Sequence, residues 1–283
     1  MNAIELEGLR KRYGDFLLNG VSLTLPSGCI MGLVGENGAG KSTMIRLIMN
    51  AVARDGGTVK VLGIDNRGAE FTAAKNDIGV VLDEAYFPEV LNARNVGSVM
   101  RRTYRNWDDN CYRGYLKRFD LPDRKLFKDY SRGMKMKLAI AVALSHRPKL
   151  LILDEATSGL DPIMRDEMLD LFNDFTRDES HSVLLSSHIV SDLEKICDYI
   201  AFLHKGQLML CEEKDALLTE YAVARLPEAR LADLPEDAVV GVRRGAYGVE
   251  ALVLKSKTAP SFQVEHATLE EIILFHAKGG SRT

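Results

Sequence analysis

Short apolar runs, separated by turns and by helix-period segments, set the organisation of this chain. Ala3–Leu9 and Gly20–Leu25 alternate apolar and polar positions, the period of half-buried strands. A turn at Tyr13-Gly14-Asp15 lies between them, and Pro26-Ser27-Gly28 makes a second turn after them. Cys29–Val34 is continuously apolar instead, the pattern of a strand covered on both faces. That pattern returns at Ile78–Leu82, Leu150–Leu153, Val183–Leu185 and Ile200–Leu203. Helix-period segments separate most of these runs, beginning with Ser42–Ala51. The alternation predicts an α/β fold on a mostly parallel sheet.

From Asn92 to Arg147 the pattern is helical. Tyr112, Tyr115, Leu116 and Phe119 recur at i, i+3, i+4 and i+7 and form one apolar face, with Asp108 or Asp109 as the N-cap. Past Cys211 the character changes. Glu212–Leu226 has a helical pattern, Pro227 and Pro235 interrupt it, and Val239–Arg243 with Val249–Leu254 predict a hairpin joined by Arg244-Gly245-Ala246-Tyr247-Gly248. Thr268–His276 is a final helix. Residues 212–283 are expected to form a small α+β appendage to a core of 1–211.

The chain has 283 residues, 46% of them hydrophobic and 27% charged, which excludes disordered and collagen-like classes. A net charge of −3 gives no global positive field, so no nucleic-acid partner is expected. The basic cluster Arg124, Lys125, Lys128, Arg132, Lys135 and Lys137 reads as a solvated helix face. Four separated cysteines without a CxxC pair predict neither a disulfide framework nor structural zinc, and fit a reducing cytosol. Met1-Asn2-Ala3-Ile4-Glu5 lacks the basic start and apolar core of a secretion signal, so none is expected. The long uncharged stretch from Phe16 to Gly35 is broken by Asn19-Gly20 and Pro26-Ser27-Gly28, so no transmembrane helix is expected.

Gly35-Glu36-Asn37-Gly38-Ala39-Gly40-Lys41-Ser42 satisfies G-x-x-x-x-G-K-[ST], between an apolar strand and a helix. The glycines let backbone N–H groups curl around phosphate oxygens, and the helix start adds partial positive charge. The expected nucleotide contacts are Gly35, Asn37, Gly38, Ala39, Gly40, Lys41, Ser42 and Thr43. Lys41 would reach the β- and γ-phosphates, and the Ser42 hydroxyl would ligate Mg²⁺. Lys149–Glu155 is a hydrophobic strand ending in two carboxylates. Asp154 is placed to hold Mg²⁺, usually through water, and Glu155 to orient and polarise an attacking water.

With these motifs the chain resembles the nucleotide-binding subunits of ATP-binding-cassette (ABC) transporters over roughly residues 3–210. Tyr130-Ser131-Arg132-Gly133-Met134 is similar to the family signature. Ser131 and Gly133 match it, whereas Arg132 and Met134 follow the flavour of bacterial ABC-2 drug and peptide exporters. The resemblance implies a P-loop ATPase core with an antiparallel β-subdomain and a helical subdomain at about 87–147. Ser158-Gly159-Leu160-Asp161 resembles the D-loop, with Asp161 at a dimer seam, and His188 the switch histidine beside the γ-phosphate. Tyr13 matches the aromatic that stacks on adenine. Asp83, followed by Glu84, stands where the family generally has a glutamine that touches Mg²⁺, and Tyr86–Asn95 falls where a membrane partner docks.

The resemblance further implies an ATP hydrolase that works as a homodimer or heterodimer of ATPase subunits. Such a subunit sits on the cytoplasmic side of the membrane through an integral membrane permease, and here it would power export. The other reading is a soluble ABC ATPase acting on nucleic acid or ribosomes. Those relatives usually carry two cassettes or long coiled coils, neither of which this sequence has.

Overall fold

A computed structural model of the chain describes residues 1–84, 86–245 and 248–278. The central sheet has six strands among the described residues, in the order β10-β9-β3-β8-β7-β6. They are β3 (Ile30–Val34), β6 (Ile78–Val81), β7 (Leu150–Asp154), β8 (Ser182–Ser187), β9 (Tyr199–His204) and β10 (Gln207–Glu213). β6, β7, β8, β3 and β9 are parallel, and β10 returns antiparallel to β9. Every residue of β3, β7 and β8 is buried, which is why these strands read as unbroken apolar runs. Register places Val34 beside Ser187 and Asp154 beside Ser186. The loops that follow β3, β6, β7 and β8 therefore leave one edge of the sheet together, where α/β folds bind ligands.

A second, antiparallel sheet contains β1 (Asn2–Tyr13), β2 (Phe16–Pro26), β4 (Gly56–Val61) and β5 (Ile64–Asp65), in the order β2-β1-β4-β5. β1 and β2 turn at Gly14, whose φ of +51° suits glycine, and Tyr13 faces Phe16 across that turn. Both strands extend well beyond the alternating segments that announce them. Helix α1 (Lys41–Ile48) follows β3 and ends before Ala51, and a one-turn helix α2 (Phe71–Ala74) precedes β6.

The helical region resolves into α3 (Ala93–Thr103), α4 (Asp109–Arg118) and α5 (Arg132–Ser145). Asp108, not Asp109, is the N-cap of α4, accepting from the N–H groups of Asn110 and Cys111. Tyr112, Leu116 and Phe119 are buried as their spacing predicts. The Tyr112 hydroxyl donates to the Ala93 carbonyl at 2.8 Å, and its ring lies so close to Gly97 that a Cβ there would meet Cε1 at 2.6 Å. Helices α6 (Pro162–Phe175) and α7 (Val190–Ile196) follow β7 and β8.

β10 runs to Glu213, across the boundary expected at 211. Helix α8 (Lys214–Glu220) is shorter than the helical pattern of 212–226 suggests, because Tyr221–Leu226 is a strand, β11. Ala222 and Ala224 are good helix formers. Here they are buried in a strand paired on both sides, to β13 (Gly248–Leu254) and to β14 (Glu265–His266), and tertiary pairing overrides propensity. With β12 (Val239–Gly245) these strands form an antiparallel sheet in the order β12-β13-β11-β14. Ala246 and Tyr247 of the predicted hairpin connection lie outside the described residues. Thr268 and Glu271 cap α9 (Leu269–Lys278) reciprocally, the Thr268 hydroxyl accepting from Glu271 N–H and the Glu271 carboxylate accepting from Thr268 N–H. Leu269, Ile272, Ile273 and Phe275 of α9 join the same core cluster as Leu193, Ile196 and Cys197, so the C-terminal unit packs on α7. Among the described residues no helix is long and apolar enough to cross a membrane.

Candidate nucleotide-binding site

The loop between β3 and α1 needs its glycines for definite reasons. Gly38 and Gly40 have φ of +83° and +111°, in the left-handed region that side chains avoid. A Cβ at Gly40 would also come within 2.8 Å of Phe16 Cζ, and one at Gly35 within 2.3 Å of the Leu203 carbonyl oxygen. The resulting cleft, about 470 Å³, is lined by Tyr13, Phe16, Glu36, Asn37, Gly38, Gly40, Lys41, Ser42, Thr43, Asp83 and Glu155. Gly35 and Ala39 shape it from beneath without lining it, and the Ala39 N–H donates to the Glu36 carbonyl. Phe16 and Glu36 are lining residues that the expected contacts omit, although Glu36 lies within the Gly35–Ser42 motif. For Phe16 the only signal is its place opposite Tyr13 across the first turn.

Lys41 opens α1 and is only 6% exposed. Its ammonium donates to the Gly35 carbonyl at 2.6 Å and lies 3.5 Å from Glu155 Oε1. A cation at a helix start, facing a cleft lined by a glycine-rich loop, is suited to a phosphate chain.

Asp154 ends β7 and is 1% exposed. Its Oδ1 has no hydrogen-bond partner, and neither has the neighbouring Ser186 hydroxyl. Burial pushes its carboxyl above the ordinary carboxylate value; the nearby Ser42 and Ser186 hydroxyls offset part of this, while the Asp83 and Glu155 charges add to it. A buried, unsatisfied carboxylate oxygen beside a serine hydroxyl and a second carboxylate is the donor chemistry of a hard divalent cation. Among the described residues no three His, Cys, Asp or Glu side chains are assembled as a metal cluster. Mg²⁺ takes one or two carboxylates and completes its shell with water and substrate phosphates, a demand that Asp154, Asp83 and the Ser42 hydroxyl fit.

Glu155 directly follows β7 with φ of +52°, a backbone state costing a glutamate on the order of 1–3 kcal/mol. Its N–H donates to the Ser186 carbonyl at 3.0 Å, extending the β7–β8 pairing by one step. The carboxylate is bracketed by Lys41 and by His188, whose Nδ1 lies 2.6 Å from Oε2. His188, just past β8, is half exposed. A carboxylate pinned between an ammonium and an imidazole, at the open end of the sheet, has surroundings suited to a general base.

The remaining predicted residues lie elsewhere. Ser131 caps α5, accepting from Met134 N–H at 3.3 Å, and Asp161 caps α6, accepting from Met164 N–H at 3.0 Å. The two helix starts abut, since a Cβ on Gly159 would stand 3.2 Å from Arg132 Nε and one on Gly133 would stand 3.6 Å from Leu160 Cδ2. Ser131, Gly133 and Asp161 do not line the Lys41 cleft. In the basic cluster, Lys135 sits over the Phe127 ring and Lys137 reaches the Phe119 carbonyl, both contacts within the helical subdomain.

Comparison with known proteins agrees with this geometry. A sequence family described as ABC transporter matches residues 18–158. The lantibiotic transport ATP-binding protein SrtF of Streptococcus pyogenes is 33% identical over 215 residues, 75% of this chain and 91% of that protein. The ABC transporter ATP-binding protein YtrB of Bacillus subtilis is 32% identical over 219 residues, 77% of this chain and 74% of its own. The bacitracin transport ATP-binding protein BcrA of Enterococcus faecalis is 33% identical over 209 residues, 73% and 68% of the two chains. Among solved structures, an ATP-binding subunit of an ABC transporter has a TM-score of 0.70 at 24% identity, covering 77% of this chain and 92% of that one. A dimeric ATP-binding cassette in a post-hydrolysis state with ADP and Pi has a TM-score of 0.67 at 23% identity, covering 74% and 98%. The last two share the fold. Sequence, fold and site together place this chain in the family of ABC transporter ATP-binding proteins.

Proposed function

We propose that this ABC ATPase works with a separate membrane permease, on the cytoplasmic side of the membrane, to export a drug, a peptide or a related substrate. The observation that carries the catalytic part of this reading is the Glu155 carboxylate held between Lys41 and His188. ATP would lie along the 35–43 loop with its adenine on Tyr13. Lys41 would exchange the Gly35 carbonyl for phosphate oxygens, a swap that favours the nucleotide because the new partners are charged. Mg²⁺, held by Ser42, Asp154 and Asp83, would supply neutralisation of phosphate charge. Glu155 orients the attacking water and takes its proton, and His188 fixes the direction of that carboxylate.

The signature and D-loop residues Ser131, Gly133 and Asp161 stand apart from the cleft of their own chain, which supports their use by a second ATPase subunit. ATP bound between two copies would favour the closed pair and hydrolysis its opening, provided the γ-phosphate is contacted from both sides. Tyr86 and Val90, both strongly exposed, lie in the 86–95 stretch proposed to meet the permease. The relatives named above are transport proteins, which favours this reading over action on ribosomes or nucleic acid.

The test is Glu155→Gln in the full-length chain with Mg²⁺ and ATP. Dimers on size exclusion with turnover about a hundredfold down are expected, since a general base contributes roughly 10²–10⁴-fold. Normal turnover refutes the base, and a strictly monomeric protein refutes the shared site. Co-purification with a polytopic membrane protein separates transport from a soluble role.

A further inference from the structure

Glu155 and His188 belong to segments that leave the sheet on adjacent strands, and a second contact ties those segments together further on. The Thr157 hydroxyl donates to Asp192 Oδ2 at 2.9 Å. Thr157 is fully buried and Asp192 is 4% exposed, whereas His188 is open to solvent. Thr157 lies two residues past Glu155, and Asp192 lies four residues past His188, inside the first turn of α7. The path from Glu155 through Thr157 and Asp192 back to His188 is therefore a closed ring, with the Glu155 N–H to Ser186 carbonyl bond as its strand-side brace.

We propose that Thr157 and Asp192 are positioning residues for ATP hydrolysis, their buried hydrogen bond fixing the Glu155 carboxylate and the His188 imidazole relative to each other. The inference rests on the roles given above to Glu155 and His188. Neither of those side chains is held by packing alone. Glu155 depends on a left-handed backbone, and the start of α7 has no side-chain cap of its own. A bond between the two following segments supplies what both lack. A merely structural contact would be better made by two apolar side chains, because a buried carboxyl is costly to keep. Burial does push the Asp192 carboxyl above its ordinary value, and the Thr157 hydroxyl is the foremost group opposing that shift; the Arg165 and His188 charges act in the same sense as Thr157, and Glu155 against it. Small displacements of a reacting group are expensive in rate, about 10²-fold for 1 Å.

The experiment compares the full-length chain with Thr157→Val, Thr157→Ala and Thr157→Ser in ATP turnover, ATP titration and thermal unfolding, with Glu155→Gln as the control. Val and Ala are expected to lower kcat about tenfold or more while KM stays within about twofold, and Ser, which keeps the hydroxyl, to regain most of the loss. Ala covers the case in which Val does not fold. Unchanged kcat in the folded variants, KM rising in step with the loss of kcat, or Ser no better than Ala would each overturn the proposal. If Glu155→Gln is inactive and Thr157→Ala is normal, the positioning role alone falls. If Glu155→Gln turns over normally, the catalytic assignment beneath it falls first.

Discussion

Asp154→Asn separates what the Asp154 charge costs the empty protein from what it does for the metal. The carboxylate is buried, its Oδ1 is without a hydrogen bond, and two like charges, Asp83 and Glu155, lie near enough to raise its pKa further. The folded-state pKa is raised above the ordinary value, so the folded protein binds this proton more tightly than the unfolded chain. The charge therefore destabilises the fold at neutral pH. The penalty shrinks as pH falls through the raised value, and is gone below the unfolded value near 3.8. An unsatisfied buried polar group costs about 1–3 kcal/mol, more if charged, and the Ser42 hydroxyl offsets part of it. Asparagine keeps the shape and removes the charge, so a gain of about 1–2 kcal/mol is expected at pH 7. For a protein somewhat above the 150–250-residue range this raises Tm by about 2–6 °C. Scanning calorimetry without nucleotide, with ATP and chelator, and with ATP and Mg²⁺ gives the comparison. The variant should start higher than wild type and lose the extra Mg²⁺ increment. A lower Tm in the empty variant would show that the carboxylate is structurally satisfied, and a full Mg²⁺ increment would remove Asp154 from the metal site.

Lys41→Ala removes the one cation aimed into the cleft from α1; charged hydrogen bonds are worth about 1.5–3 kcal/mol net, so ATP affinity should drop roughly tenfold to a hundredfold by calorimetric titration. Unchanged affinity would refute the phosphate role. His146 is fully buried, stacked on Tyr104 at 3.9 Å between centroids, and its Nε2 has no partner. Burial lowers its pKa below 6.5, so the neutral ring stabilises the fold above that value and the contribution is lost as pH falls below it. His146→Gln should flatten the decline of Tm with falling pH below about 6.5, although His276, lowered by burial as well, will leave a residual slope. An unchanged slope would refute the assignment.

The parallel strands were readable because burial on both faces leaves no room for polar alternation, and the phosphate loop because backbone approach to an anion restricts residue choice. β4 escaped detection for the opposite reason. It opens with Gly56-Gly57 and carries Lys60, and only Val59 and Val61 face the core. β11 escaped because alanine says little about strand or helix when pairing partners lie far along the chain. Site residues named by local chemistry, such as Lys41, Asp154 and Glu155, were legible. The Thr157–Asp192 bond and the Glu155–His188 contact were not, since each needs β7 and β8 side by side. Phe16 was not, since it reaches the cleft from a strand of the other sheet.

The same sheet order explains why the C-terminal unit bears on the nucleotide site. α7 has seven residues, fewer than an isolated helix needs to persist in water, so its position must come from its neighbours. Asp192 is bonded to Thr157, while Leu193 and Ile196 share a core cluster with Leu269, Ile272 and Phe275 of α9. His188 leads directly into this helix. Besides a small core of its own around Ala222, Ala224, Leu234, Ala251 and Val253, the 214–278 part shares with 1–213 an apolar cluster that includes residues of β7, β8, α7 and α9. Both sets of contacts act on the short helix that directly follows the segment carrying the imidazole. An appendage that looks remote in sequence thus contributes to the rigidity of the element that points His188 at Glu155.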